Sequence, residues 1–210
     1  MIKATYLGHL GQDMDVADAA RVSFAKKAEN YTDEGNWRLI NFLAREGHIA
    51  PFGHCYLRFH IKAPIFVARQ LVKHKFMRMS EVSRRYVKSD PEFYVPSEWR
   101  AAADDVKQGS VGAARSQYFP TTYMEQTARE ATSRYNKMLQ QGICAEQARM
   151  ILPVNIFTEF WWSGSLDAFA DMCNLRCKPD TQFETRLVAD EISAEVTKLF
   201  PVAWPALTGS

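Results

Sequence analysis

The sequence predicts an α+β fold, a single domain over residues 1–210 in which a mixed or antiparallel sheet is flanked by helices. Three observations carry that expectation. Residues Cys55 to Lys62 alternate strictly between apolar and polar, the period of a strand with one buried face. Apolar residues recur at helical spacing behind capping residues in several other stretches. The elements come in the order strand and helices, strand, helix, strand, then helices, which is not the regular alternation of a parallel sheet. With 47% hydrophobic and 12% aromatic residues the chain can fill a core.

Ile2, Ala4 and Tyr6 alternate with Lys3 and Thr5 and predict a first strand. Asp13 or Asp15 can cap a helix that places Val16, Ala19, Ala20 and Ser23 on one face. Thr32 or Asp33 caps the next, with Trp37, Ile40, Leu43 and Ala44 inward and Gly47 just past its end. The stretch from Gly47 to His54, with Pro51 inside it, is a loop carrying His48 and His54, and either histidine alone reads as a local hydrogen-bonding group. Ala63-Pro64 ends the clear strand and opens a helix from Ile65 to about His74, with Ile65, Phe66, Ala68 and Leu71 inward.

Phe93 to Pro96 reads as another strand. Residues 97–120 carry little pattern: Ala101 to Ala103 favour helix, and Gly109 to Gly112 a flexible connection. A long helix runs from Thr121 or Thr122 to about Gln141, with Ala128, Ala131, Tyr135, Met138 and Leu139 inward. Cys144 to Ile151 is a short helix carrying Arg149 in apolar company. Ile156 to Trp162 is a strand, and Ser165 caps a helix with Leu166, Phe169, Ala170 and Cys173 inward. Asp180 caps the last helix, where Phe183, Leu187, Ile192, Val196 and Leu199 form the stripe until Pro201.

Composition narrows function. A net charge of +2, from 26 basic and 24 acidic residues, argues against a general coat for nucleic acid or membrane surface. No apolar run approaches the ~20 residues that span a bilayer, and the first residues are not a signal peptide, so a cytoplasmic location is expected. The four cysteines lack the density of a disulfide scaffold. Cys173 and Cys177 share a helix face, but no second pair is spaced to complete four metal ligands, so no metal is expected.

The positive charge is local. From Arg69 to Lys88 seven cationic side chains stand against the single carboxylate of Glu81, interleaved with hydroxyls, His74 and Tyr86. A one-sign block of this kind reads as an anion site or as a solvated basic face.

Within it, Lys73-His74-Lys75, seven intervening residues and then Ser83 resemble the Arg-His-Arg and serine signature of flavin-dependent thymidylate synthases. Other segments resemble the same family in the same order: Ala19 to Phe24; Gly47-His48 with Pro51, Phe52 and His54; Phe59 to Gln70; Ala148-Arg149 with Leu152, Pro153 and Asn155; Thr158 with Phe160 and Trp162; and Asn174 to Arg176 with Gln182 and Glu184. So many segments at matching spacing are far more specific than one motif. The resemblance implies conversion of dUMP to dTMP with FAD as hydride carrier, methylenetetrahydrofolate as carbon donor and NADPH as reductant. It also implies a homotetramer with sites shared between subunits.

By family position, Gln70, Lys73, Glu81, Val82, Ser83, Arg84, Arg85, Arg149 and Arg176 would contact dUMP. His48, Ala50, Lys73, His74, Lys75, Glu81, Ser165, Leu166, Asp167 and Asp171 would line the FAD site. Arg176 is the expected catalytic residue, because a guanidinium beside the uracil edge stabilises negative charge as the ring is activated. Ser83 reads as a ligand and not as a nucleophile, since no general base stands beside it in the pattern. The chain departs from the family at Lys73 and Lys75, where arginines are usual, at Ser165 and Asp171, where asparagines are, and at Asp180, where a histidine is. These departures motivate an alternative, a flavin enzyme adding a methyl or hydroxymethyl group to another pyrimidine nucleotide such as dCMP. A nonenzymatic nucleic-acid-binding module is the remaining alternative.

Overall fold

A computed structural model describes residues 1–103 and 109–209. Its frame is a four-stranded sheet with β1 (Lys3–Leu10), β2 (Tyr56–Pro64), β6 (Phe157–Ser165) and β3 (Met77–Glu81) side by side in that order. Every pair is antiparallel. The alternation seen in the sequence is the reason for the orientation of β2: Leu57, Phe59, Ile61 and Ala63 are buried, while Tyr56 and Arg58 are exposed. Both of its neighbours extend it, so that Tyr56 lies opposite Ser165 and Pro64 opposite Phe157.

Helices α1 (Asp13–Arg21), α2 (Asp33–Arg45), α6 (Leu166–Arg176), α7 (Phe183–Leu199) and α8 (Ala203–Thr208) join the strands in one apolar cluster that includes Phe59, Phe160, Trp162, Phe169 and Trp204. Helix α8 follows Pro201, where the sequence pattern ends, and is tied down by Asp13, which accepts from Val202 N at 2.9 Å and Ala203 N at 2.8 Å. At Gly11, where φ is +87°, a Cβ would stand 2.8 Å from Cys55 Sγ, so only glycine lets the chain pass there.

The α+β architecture agrees with the sequence, and the sheet is antiparallel. Several local expectations are corrected. Helix α1 stops at Arg21, and Ser23 is exposed in a 3₁₀ turn. Thr32 caps α2 through Gly35 N, but Trp37 is 45% exposed and Asn36 takes its place inward, satisfied by Ala28 O and Arg21. Helix α3 (Ile65–Leu71) ends before His74 and buries Val67, Ala68 and Leu71, while Ile65 and Phe66 are half-buried. Phe93 makes only an isolated bridge with Ile156. The stretch read as helix and flexible connection is a hairpin, β4 (Arg100–Ala102) with β5 (Ser110–Ala113), and residues 104–108 lie outside the described residues. Alanine propensity lost there to cross-strand pairing.

Helix α4 (Tyr118–Gln140) starts before the predicted caps and fully buries only Ala131 and Tyr135 among its residues. The short helix after it is α5 (Ala145–Ala148) followed by a 3₁₀ turn holding Arg149. Helix α7 begins after Gln182, not Asp180, and turns Val188, Ala189, Ile192 and Val196 inward, while Phe183 is exposed.

Candidate functional site

The basic block is a helix end, a tight turn and an edge strand. Val72 N donates to Ala68 O and His74 N to Leu71 O, which closes α3 and lifts Lys73 and His74 out of it. Phe76 then adopts φ +60°, a left-handed conformation that costs a non-glycine residue on the order of 1 kcal/mol, before β3 pairs with β6. Lys73 and Lys75 project from this turn, exposed to solvent.

Arg176, in the last turn of α6, reaches this helix end. Its Nε donates to His74 Nε2 at 3.0 Å, its Nη2 to the Gln70 carbonyl at 3.3 Å and its Nη1 to Gln70 Oε1 at 3.5 Å. The Gln70 amide in turn donates to Gln182 Oε1. Burial and the adjacent Arg176 charge lower the His74 pKa to about 4, so the imidazole is neutral at physiological pH and Nε2 is free to accept. Burial also lowers the Arg176 pKa, without endangering the charge of a guanidinium.

Gln70 and Arg176 line a cavity of about 600 Å³ whose other walls are Arg100, Gly109, Ser110, Leu175, Lys178, Asp180, Thr181 and Gln182, with His74 behind Arg176 and outside the lining. Three cations face it through Arg100, Arg176 and Lys178, with Asp180 the acidic member. Arg100 and Ser110 come from the stretch with little sequence pattern, and the sequence reading missed them. A Trp-Arg pair ahead of a glycine was the available signal, and it is weak.

The other half of the block is built differently. Glu81 ends β3 and accepts from Thr158 Oγ1 at 2.7 Å, and Val82 N donates to Glu159 O at 2.9 Å. Beyond them Ser83 Oγ accepts from Arg85 Nε at 3.2 Å, and Arg84 is held by the Ser89 carbonyl. Arg149 is exposed, with its Nε on Glu146 O at 3.3 Å and not on an anion. Among the described residues no hydrogen bond or ion pair joins Ser83, Arg84, Arg85 or Arg149 to Arg176.

A third cluster lies at the start of α6. Leu166 N donates to Cys55 O, which docks the helix N-terminus on the loop of Ala50–His54. Ser165 is buried at the N-cap position, yet its side chain makes no capping bond. Leu166 points into the core, so its side chain is closed to a ligand. Asp167 Oδ1 is buried without a hydrogen-bond partner and lies near Gly53. Burial and the Asp167 charge raise the pKa of Asp171. His48 is exposed and meets the Phe42 ring edge-on at 6.0 Å.

Residues 6–202 match the family model described as thymidylate synthase complementing protein. A flavin-dependent thymidylate synthase of Thermus thermophilus is 36% identical over 197 residues, covering 94% of this chain and 72% of the relative. One from Kosmotoga olearia is 33% identical over 199 residues, covering 94% of this chain and 86% of the relative. Among solved structures, a UMP/dUMP methylase from Streptomyces cacaoi bound with 5-Br dUMP superposes with a TM-score of 0.90 at 28% identity, covering 100% of this chain and 95% of that one. The same enzyme bound with 5-Br UMP gives 0.87 at 27%, covering 100% and 94%.

Proposed function

Because the chain belongs to the thymidylate synthase complementing protein family, we propose that its cavity at Gln70 and Arg176 binds the pyrimidine nucleotide of that family's reaction. The chain is an FAD-dependent thymidylate synthase that methylates dUMP to dTMP. The observation that carries the site assignment is the convergence of Arg176 on Gln70 and His74, which aims one guanidinium into a nucleotide-sized cavity.

Arg176 is the catalytic residue in this assignment. Its guanidinium, held by a neutral imidazole and two acceptors on Gln70, needs no reorganisation to meet charge developing on the uracil edge. Ser83 and Arg85 bind the phosphate, with Gln70, Lys73, Glu81, Val82, Arg84 and Arg149 completing the nucleotide contacts. Among the described residues no thiol lines the cavity: burial raises Cys55 to about 12, the hydrogen bond with Cys177 and burial raise Cys173 well above its ordinary value, Cys177 packs against the core, and Cys144 is exposed outside the cavity lining.

The residues present fit FAD. Lys73 and Lys75 are exposed cations for its pyrophosphate, and the partnerless Asp167 Oδ1 is an acceptor suited to an N–H or hydroxyl donor. His48, Ala50, His74, Glu81, Ser165, Asp171 and the backbone of Leu166 would complete the site. When bound, FAD supplies the hydride. Methylenetetrahydrofolate as carbon donor and NADPH as reductant follow the family. So does a homotetramer with shared sites, which suits the absence of Arg85 and Arg149 from the lining of the cavity that Arg176 enters.

Among the described residues no helix is long and apolar enough to cross a membrane, and we place the enzyme in the cytoplasm as a single domain over 1–210. The solved relatives carry uracil nucleotides, which disfavours the dCMP alternative and motivates UMP as a second substrate. Purified protein should be yellow and release tritium from 5-labelled dUMP with folate and NADPH. A colourless preparation that releases none, even with added FAD, would refute the assignment, and faster turnover of UMP would redirect it.

A further inference from the structure

Glu184, in the first turn of α7, is a buried carboxylate that the assignment above does not use. Both its oxygens accept from Arg100 Nη2 at 2.9 Å, and Oε1 also accepts from the Tyr94 hydroxyl at 3.1 Å. Its side chain is 4% exposed and that of Arg100 24%. Arg100 does more than pair with it. Its Nε donates to Ser110 Oγ at 2.9 Å, and its guanidinium lies over the Phe183 ring, 4.9 Å from the centroid. One side chain therefore ties β4 to β5 and fastens both to α7.

Among its described residues the hairpin has little else to hold it on that side. Its strands have three and four residues, none of them buried, and none joins the apolar core. Trp99 anchors the base of the hairpin to α4 through Thr121 and Gln117. Arg100 and Ser110 line the same cavity as Gln70 and Arg176, and the residue two places before Glu184, Gln182, accepts from Gln70. The ion pair thus sits where the wall made by the hairpin meets the wall made by α7.

We propose that Arg100 is a positioning residue for the nucleotide: fixed on Glu184, it sets the β4–β5 hairpin as a wall of the cavity that Arg176 enters. The inference rests on the assignment of that cavity to the nucleotide. It separates Arg100 from Arg176 by the step each serves. Loss of the wall weakens binding, while the group that stabilises charge on the ring stays in place.

The test uses FAD-loaded enzyme, with dUMP affinity from calorimetry and KM and kcat from tritium release. Two variants are compared with wild type. R100K keeps the charge opposite Glu184 but loses the planar fork. The pair R100M/E184Q removes both charges, so that no lone carboxylate is left buried, and keeps an acceptor for Tyr94. Both should raise the dUMP Kd and KM about tenfold, or 1.4 kcal/mol, with kcat within about twofold of wild type. Unchanged affinity in a folded variant, or a fall in kcat at constant KM, overturns the role of Arg100 while leaving the cavity assignment intact. Wild-type enzyme that fails to bind dUMP overturns both. Should the double variant not fold, R100K decides alone.

Discussion

The two halves of the basic block are built to different standards. At the α3 end, Gln70 and His74 are locked to Arg176 and Gln182 by hydrogen bonds between elements more than a hundred residues apart in sequence. At the far end, the side chains of Ser83 and Arg85 bond to each other, and Arg149 stands exposed with its Nε on the Glu146 carbonyl. The first half is assembled before any ligand arrives, and the second awaits a phosphate or a neighbouring subunit. Groups that meet developing charge gain from being fixed in advance, whereas groups that grip a phosphate gain their energy on contact.

The largest test of that contrast is Arg176→Ala. Removing a prebuilt charge stabiliser should lower kcat by about 10²–10³, read by tritium release at saturating dUMP. Retention of full turnover would move catalysis elsewhere. Arg85→Ala should act on the other half and raise the dUMP KM roughly tenfold or more, the loss of a charge-assisted bond of about 1.5–3 kcal/mol, with kcat much less affected. Mixing Arg176→Ala with Arg85→Ala subunits, assayed at dUMP well below the raised KM where both variants turn over slowly, tests whether the halves belong to different chains. Partial recovery of activity on reassembly is expected if they do, and none if each chain carries a whole site.

How much of this was legible in the sequence differs by region for a physical reason. Strand β2 was readable because its alternation is strict, and helix α6 because Leu166, Phe169, Ala170 and Cys173 recur at helical spacing, although Ala168 and Met172 are buried as well. The hairpin was not, since three alanines in a row favour helix locally while cross-strand pairing and the Arg100 ion pair, which join residues far apart, decide the outcome. The same holds for Asp180, a good cap by composition that α7 bypasses. For the proposed site the resemblance names the residues, but not which of them line one cavity: Gln70 and Arg176 do, and Ser83 and Arg149 do not. Nothing in the spacing of Ser83, Arg149 and Arg176 tells which of them share a cavity in one chain.

His74 offers a finer probe of the prebuilt half. His74→Leu deletes the acceptor for Arg176 Nε and should cost about 1 kcal/mol, a several-fold fall in kcat, while His74→Gln restores part of it. The pH dependence has a defined sign. His74 titrates near 4 when folded, against 6.5 as its ordinary value, so between those pH values the unfolded chain takes up a proton that the folded chain does not. Stability from this residue is full above about 6.5 and falls as pH drops toward 4. Urea midpoints measured at both ends of that window should fall less on acidification in His74→Gln than in wild type, and equal slopes would refute the neutral acceptor.

The smallest effect should come from the exposed turn, where Lys73 and Lys75 replace the arginines usual in the family. A lysine meets a pyrophosphate as a point charge, whereas arginine offers a planar fork whose two parallel bonds add direction to the same charge. Both side chains are exposed, so solvent screens the charge and only the geometric part of the difference survives. Replacing both by arginine should therefore tighten FAD by only a few-fold, less than about 1 kcal/mol, with dUMP affinity unchanged. FAD fluorescence quenching at two salt concentrations separates the contributions, because charge attraction weakens with salt while fork geometry does not. Equal FAD affinity in variant and wild type at both salts would mean that the turn does not touch the pyrophosphate, and that the flavin is held by the Asp167 side of the site instead.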